Sequence, residues 1–139
     1  MRKKILIIDD DIDLCLLLSR FLNKHDYETE IVHSGSKGIT KFKENSYDLV
    51  ISDYRLGDME GNAVVSAIKA VNSQAKILVI TGYSDIKTAV EIIKLGAFDY
   101  IVKPLIPDEV LSVVRNAIES DPALPAEAAK KSNDKKESD

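Results

Sequence analysis

KKILIIDDDID, residues 3–13, decides how this chain folds. The apolar run from Ile5 to Ile8 shows no alternation and passes straight into acid, with aspartates at 9, 10, 11 and 13. A strand that is apolar on both faces suits the interior of a parallel sheet. Its end is where a buried strand releases the chain. Like charges this close disfavour one another's ionisation, and a plain turn is served by Asn, Ser or Gly. The acids therefore need a purpose at that spot.

Working outward, three more runs have strand length and the same Ile, Val and Leu content: DLVISD (48–53), KILVIT (76–81) and DYIV (99–102). ETEIVH (28–33) alternates and mixes in charge, as an edge strand does. Between the runs the spacing becomes helical. Leu14, Leu17, Leu18, Phe21 and Leu22 form one apolar face. SKGITKFKEN (36–45) turns Ile39 and Phe42 inward, and NAVVSAIKAV (62–71) places Val64, Val65, Ile68 and Val71 on one side. DIKTAVEIIKLGA (85–97) starts with Asp85 as a cap and stops near Gly96. PDEVLSVVRNAIES (107–120) begins at Pro107, with Asp108 and Glu109 at the end of the helix dipole that favours acids. Strand followed by helix, five times, predicts an α/β fold: a doubly wound five-stranded parallel sheet, (βα)5, covered on both faces. In such sheets the functional crevice lies beyond the carboxyl ends of the strands.

Composition narrows the function classes. The 139 residues fit one domain, with 45% hydrophobic and 30% charged residues. A net charge of −4 offers no attraction to nucleic acid or anionic membrane. No apolar run reaches membrane-spanning length, and the apolar part of MRKKILIIDDD is too short for a signal peptide. The single cysteine, Cys15, allows no intrachain disulfide, reads as a small core residue, and makes a reduced, cytoplasmic setting the default. Residues 1–120 form the folded domain. Residues 121–139, DPALPAEAAKKSNDKKESD, are too polar to fold alone and read as a linker or tail, with a short helix at AEAAKK (126–131). No further folded domain, of the kind that would carry an output, is expected within residues 121–139.

The strand ends carry the chemistry. The first ends at Asp9 and Asp10, the third at Asp53, the fourth at Thr81 before Gly82, and the fifth runs into Lys103 and Pro104. Taken singly these residues have ordinary readings: a solvated cap, a turn aspartate, a loop Lys-Pro. Taken jointly they set carboxylates, a hydroxyl and an ammonium along one sheet edge. Converging carboxylates without imidazole or thiolate suit a hard cation, Mg²⁺ or Mn²⁺, which also neutralises the cluster. A carboxylate beside metal, ammonium and hydroxyl is a site for phosphoryl transfer, with the carboxylate as nucleophile. Asp11 and Asp13 serve the start of the first helix, as cap and first-turn acid.

The motifs ILIIDDD, DLVISDYRLGDMEG, ILVITGYSD and GAFDYIVKP, in this order and spacing, resemble the receiver domains of bacterial two-component response regulators over residues 2–119. ITGYSDIKTAVEIIKLGAFDYIVKPL is most similar to receivers of sigma-54-dependent (NtrC-type) transcription activators. The resemblance implies a flavodoxin-like strand order, 2-1-3-4-5. It implies that Asp53 accepts a phosphoryl group from a phosphohistidine on a sensor histidine kinase or phosphotransfer protein. Asp10 would ligate Mg²⁺ directly and Asp9 through a bound water, with Asp53 and the Arg55 backbone carbonyl completing the protein ligands. Lys103 and Thr81 would hold the phosphoryl oxygens, the Lys103–Pro104 bond would be cis, and Tyr100 would turn inward as Thr81 moves. The switched surface, residues 85–119, would meet a second copy or an output domain. Such a module is not an enzyme, slow self-dephosphorylation aside, and does not itself contact nucleic acid. Leu56-Gly57 replaces the usual Met-Pro of the loop, and Tyr83 is bulky enough to shield an acyl phosphate. His25 and His33 read as surface residues. The rival from another class is a haloacid-dehalogenase-like phosphohydrolase with Asp53 as nucleophile, but it needs an acid where Arg55 stands and a cap domain. A flavodoxin-like FMN carrier is disfavoured because the first loop is acidic rather than Ser- and Gly-rich.

Overall fold

The computed structural model describes residues 2–82 and 86–120. The Asp85 cap, Tyr83 and the 121–139 tail with its 126–131 helix lie outside the described residues. The order of elements is β1 (Lys3–Ile8), α1 (Ile12–Lys24), β2 (Tyr27–Val32), α2 (Gly35–Glu44), β3 (Leu49–Asp53), α3 (Gly61–Val71), β4 (Ile77–Thr81), α4 (Ile86–Lys94), β5 (Asp99–Val102) and α5 (Pro107–Glu119). The strands form one parallel sheet in the order β2-β1-β3-β4-β5, with β2 at an edge as its mixed pattern predicted. Between β1 and β3 the sequence order reverses, which opens the crevice at their carboxyl ends.

The unbroken apolar runs become intelligible once both sheet faces are covered. Successive strand residues point to opposite sides. Ile5 and Ile7 of β1 join Leu49, Ile51, Leu78 and Ile80 in a core closed by Leu18 and Leu22 of α1 and Val110 and Val114 of α5. Leu6 and Ile8 join Val50, Ile77 and Val79 in a second core closed by Phe42 of α2, Val64, Val65 and Ile68 of α3, and Ile92 of α4. Burying such side chains is worth about 1.5–3 kcal/mol each, so polar alternation in these strands would forfeit one core or the other.

The helices depart from the expected faces at their margins. Leu17 is 69% exposed and Val71 43% exposed. Leu17 lies one residue from Leu18, and only a stripe of α1 meets the sheet. Val71 is the last residue of α3, beyond the edge of the core. Among the described residues, α1 and α2 start on side-chain caps, whereas α3 and α5 start without one. Asp11 caps α1, its carboxylate accepting from Leu14 N–H at 3.1 Å, and Asp13 lies in the first turn. Ser34 caps α2, its hydroxyl accepting from Lys37 N–H at 3.2 Å. Two glycines are set by their surroundings: a Cβ on Gly38 would stand 2.3 Å from Ile8 Cδ1, and Gly96, which follows α4, has φ +113°.

Candidate functional site

Asp9 follows β1 directly, and Asp53 closes β3, the neighbouring strand, where Ile8 pairs with Ser52. This register brings the two acids side by side, and Asp10 joins them from the loop. One carboxylate oxygen from each of Asp9, Asp10 and Asp53 lies within 4.8 Å of the others. Asp9 and Asp53 are buried and Asp10 is exposed, so the cluster has a dry floor and one wet wall.

The electrostatics are unfavourable without a cation. Burial pushes the Asp9 carboxyl up to about 6, and the Asp53 and Asp10 charges add to the rise against the opposing Asp11 N–H and Lys103. Its Oδ1 accepts from Asp11 N–H at 3.0 Å. Its Oδ2 is buried with no hydrogen-bond partner. An unmet buried carboxylate oxygen is costly. The Asp53 carboxyl is also raised by burial, against the pull of the Lys103 ammonium and the Arg55 N–H. Lys103 Nζ stands 3.3 Å from Asp53 Oδ1. A divalent cation fits this donor set: hard oxygens only, one of them unpartnered, and an excess of negative charge that a single ammonium does not cancel.

Thr81 ends β4 and is buried. Its carbonyl accepts from Lys103 N–H at 2.8 Å, so the threonine and the lysine belong to one corner of the crevice. The Lys103–Pro104 peptide bond is cis. Arg55 is exposed and begins a tight hairpin, bridging to Glu60. Tyr100 lies on β5 and is exposed, at 38%. Asp9, Asp10, Asp53, Thr81 and Lys103 thus gather at one edge, with Arg55 beside them and Tyr100 on the flank.

His33 is exposed and Cys15 buried, as their sequence readings have it, but both also make contacts at this edge that those readings did not include. His33 Nδ1 lies 3.0 Å from the Asp9 carbonyl, and since a carbonyl only accepts, the ring N–H donates. The Cys15 thiol also donates to that carbonyl, at 3.3 Å, and burial with the Asp9 charge beside it pushes the thiol up to about 12. Sequence could have signalled His33, because a residue just past β2 must neighbour one just past β1 in a parallel pair. Asp58 escaped the sequence reading altogether: its two carboxylate oxygens accept from Gly35 N–H and Ser36 N–H, each at 2.9 Å. A contact of this range leaves no local sequence signal.

Comparison with known proteins points the same way. The family model for the response regulator receiver domain matches residues 5–115. Transcriptional regulatory protein ZraR of Escherichia coli K12 is 37% identical over 123 residues, covering 88% of this chain and 28% of that protein. Acid tolerance regulatory protein ActR of Sinorhizobium medicae is 38% identical over 112 residues, covering 81% of this chain and 58% of that protein. The chain therefore spans less than a third of ZraR and under two thirds of ActR. A CheY-like receiver domain from Methanospirillum hungatei superposes with a TM-score of 0.82 at 28% identity, covering 86% of this chain and 95% of that one.

Proposed function

Since this chain belongs to the response regulator receiver family, we propose that Asp53 is its phosphoacceptor. In this reading a carboxylate oxygen of Asp53 attacks the phosphorus of a phosphohistidine on a partner kinase or phosphotransfer protein. The P–N bond breaks, its electron pair stays on the imidazole, and an acyl phosphate forms on Asp53. Asp10, Asp53 and the Arg55 carbonyl would hold Mg²⁺ or Mn²⁺, with Asp9 as a supporting acid acting through water. When bound, the cation neutralises the cluster and offsets charge on the phosphoryl group. Lys103 neutralises the phosphoryl oxygens from the opposite side, and Thr81 donates a hydroxyl hydrogen bond to them.

The observation that carries the proposal is the triad itself. Three carboxylates converge within 4.8 Å, one buried oxygen has no partner, and an ammonium stands 3.3 Å from the acid at the end of β3. A haloacid-dehalogenase-type phosphohydrolase is not favoured, since Arg55 occupies the position of its acid/base.

Phosphorylation adds roughly −1.5 to −2 charge and three acceptor oxygens at Asp53. Lys103 and Thr81 bind those oxygens in one arrangement of their two loops, which biases a two-state element with Tyr100 moving inward. The surface of α4, β5 and α5 then engages a second copy or an output domain, here a sigma-54-type transcription activator. The role is regulatory rather than catalytic and is carried out in the cytoplasm. No helix among the described residues is long and apolar enough to cross a membrane.

Incubation with Mg²⁺ and a small acyl phosphate donor, read by intact mass, should add one phosphoryl group to the wild type and none to Asp53→Asn. Label retained by that variant would overturn the assignment.

A further inference from the structure

The hairpin that follows Asp53 is closed at its base and held at its tip by another element. Leu56 N–H donates to Met59 O at 3.1 Å, and Gly61 N–H donates to Tyr54 O at 2.6 Å. The tip is Gly57 and Asp58. Gly57 faces the acid cluster, for a Cβ placed on it would stand 3.7 Å from Asp10 Oδ2. Glycine is the least constrained residue available at that point, so the hairpin's own sequence does not hold its tip in place.

We propose that Asp58 is a positioning residue for the cation site, fastening the tip of the hairpin to the first turn of α2 and so holding Gly57 and the Arg55 carbonyl against Asp10. The proposal rests on the reading of Asp10 and Arg55 as cation ligands.

The geometry supports it at three points. First, both Asp58 oxygens are engaged, one by Gly35 N–H and one by Ser36 N–H, each at 2.9 Å. These are free donors of a helix's first turn, where carboxylates bind well. Two bonds fix the direction of a side chain that solvent otherwise leaves loose. Second, Met59 fills the space that a side chain at 35 would need: a Cβ on Gly35 would stand 2.5 Å from Met59 Cγ. Consecutive hairpin residues therefore grip the same turn, one by charge and one by packing. Third, the chain entering α2 is itself tied to the site, because His33 donates to the Asp9 carbonyl at 3.0 Å. The hydrogen bonds run from Asp9 through His33 and the start of α2 to Asp58, and the neighbouring Gly57 faces Asp10.

Helix stability alone is separable from this role. Ser34 caps the same turn, accepting from Lys37 N–H at 3.2 Å, but touches no hairpin residue in that bond. The test measures Mg²⁺ binding by calorimetry for the full chain as wild type, Asp58→Ala, Asp58→Asn, Ser34→Ala and Asp10→Asn. Asp58→Ala should weaken Mg²⁺ binding by about tenfold, as loss of a group supporting a metal ligand does, while Ser34→Ala changes it less than about twofold. Asp58→Asn, which keeps one acceptor, should fall between them. The Mg²⁺ concentration giving half-maximal labelling of Asp53 should rise in Asp58→Ala by the same factor, with the rate at saturating Mg²⁺ near wild type. Equal affinity in Asp58→Ala and wild type overturns the proposal, as does an equal loss in Ser34→Ala. A wild type that binds no Mg²⁺ overturns both this inference and the reading beneath it. Binding lost in Asp10→Asn but kept in Asp58→Ala overturns this inference alone.

Discussion

Carboxylates at two places in this molecule are treated in opposite ways. At the sheet edge, Glu30 of β2 pairs with Lys4 Nζ at 2.8 Å, accepts from the Tyr47 hydroxyl at 2.8 Å, and has Lys41 Nζ at 3.8 Å. Those partners, Lys4 first, hold its carboxyl below the usual range. In the crevice, Asp9 and Asp53 are buried beside Asp10, share one ammonium, and are pushed up by burial. The edge acid serves the fold. The crevice acids oppose it, and their uncancelled charge is what the proposed cation would neutralise.

The most decisive way to break this contrast is to remove one acid from each place. Asp10→Asn should reduce Mg²⁺ affinity by about a hundredfold or more, given that even supporting groups cost 10–100-fold, whereas Glu30→Gln should leave it within about twofold. Equal effects in calorimetry would end the distinction. Next in size is the cation itself. At a hundredfold excess over Kd, Mg²⁺ should stabilise the wild type by about 2.7 kcal/mol. Chemical denaturation with and without Mg²⁺ measures this, and no shift would mean that the cluster is not a cation site.

Acidity sharpens the comparison further. The folded Asp9 carboxyl titrates near 6 against an ordinary value of 3.8, so the folded state binds its proton more tightly than the unfolded chain does. Its destabilising effect is absent below the unfolded value, grows as pH rises through that window, and is complete above the folded one. Metal-free wild type should therefore lose stability relative to Asp9→Asn between these values, by at most about 1.4 kcal/mol per pH unit. Melts in chelator across that range check the sign. Glu30, whose carboxyl is lowered, contributes stability that is present above its ordinary value and lost as pH falls through its folded one. The smallest effect is on stability at neutral pH. Glu30→Gln should cost roughly 0.5–1 kcal/mol, and a gain instead would show that the edge network does not stabilise the fold.

Much of the site could be read in the chain because its residues are tied to strand ends. Asp53 and Thr81 are the last residues of β3 and β4, and Asp9 is one residue past β1. Strand ends can be located from apolar runs, and a parallel sheet gathers them without any knowledge of side-chain contacts. His33 belonged to the same edge by that logic, yet a polar residue after a charged edge strand looks like any surface histidine. Asp58 was harder: its partners, Gly35 and Ser36, lie 23 and 22 residues away, and one acid in a loop of turn residues looks like a turn. Leu17 shows the limit for helices, since an apolar residue one step from the buried stripe widens the predicted face without joining it.

By itself the sequence determined the alternation of strand and helix, the burial of both sheet faces, and the residues that stand at the carboxyl edge. These follow from local periodicity and from where apolar runs stop. Tertiary structure alone decided that Asp9 Oδ2 is left without a partner, that Lys103 stands close to Asp53, and that Asp58 binds the first turn of α2. Those facts depend on distances between segments far apart in the chain, and on how much water reaches each oxygen once the segments have packed.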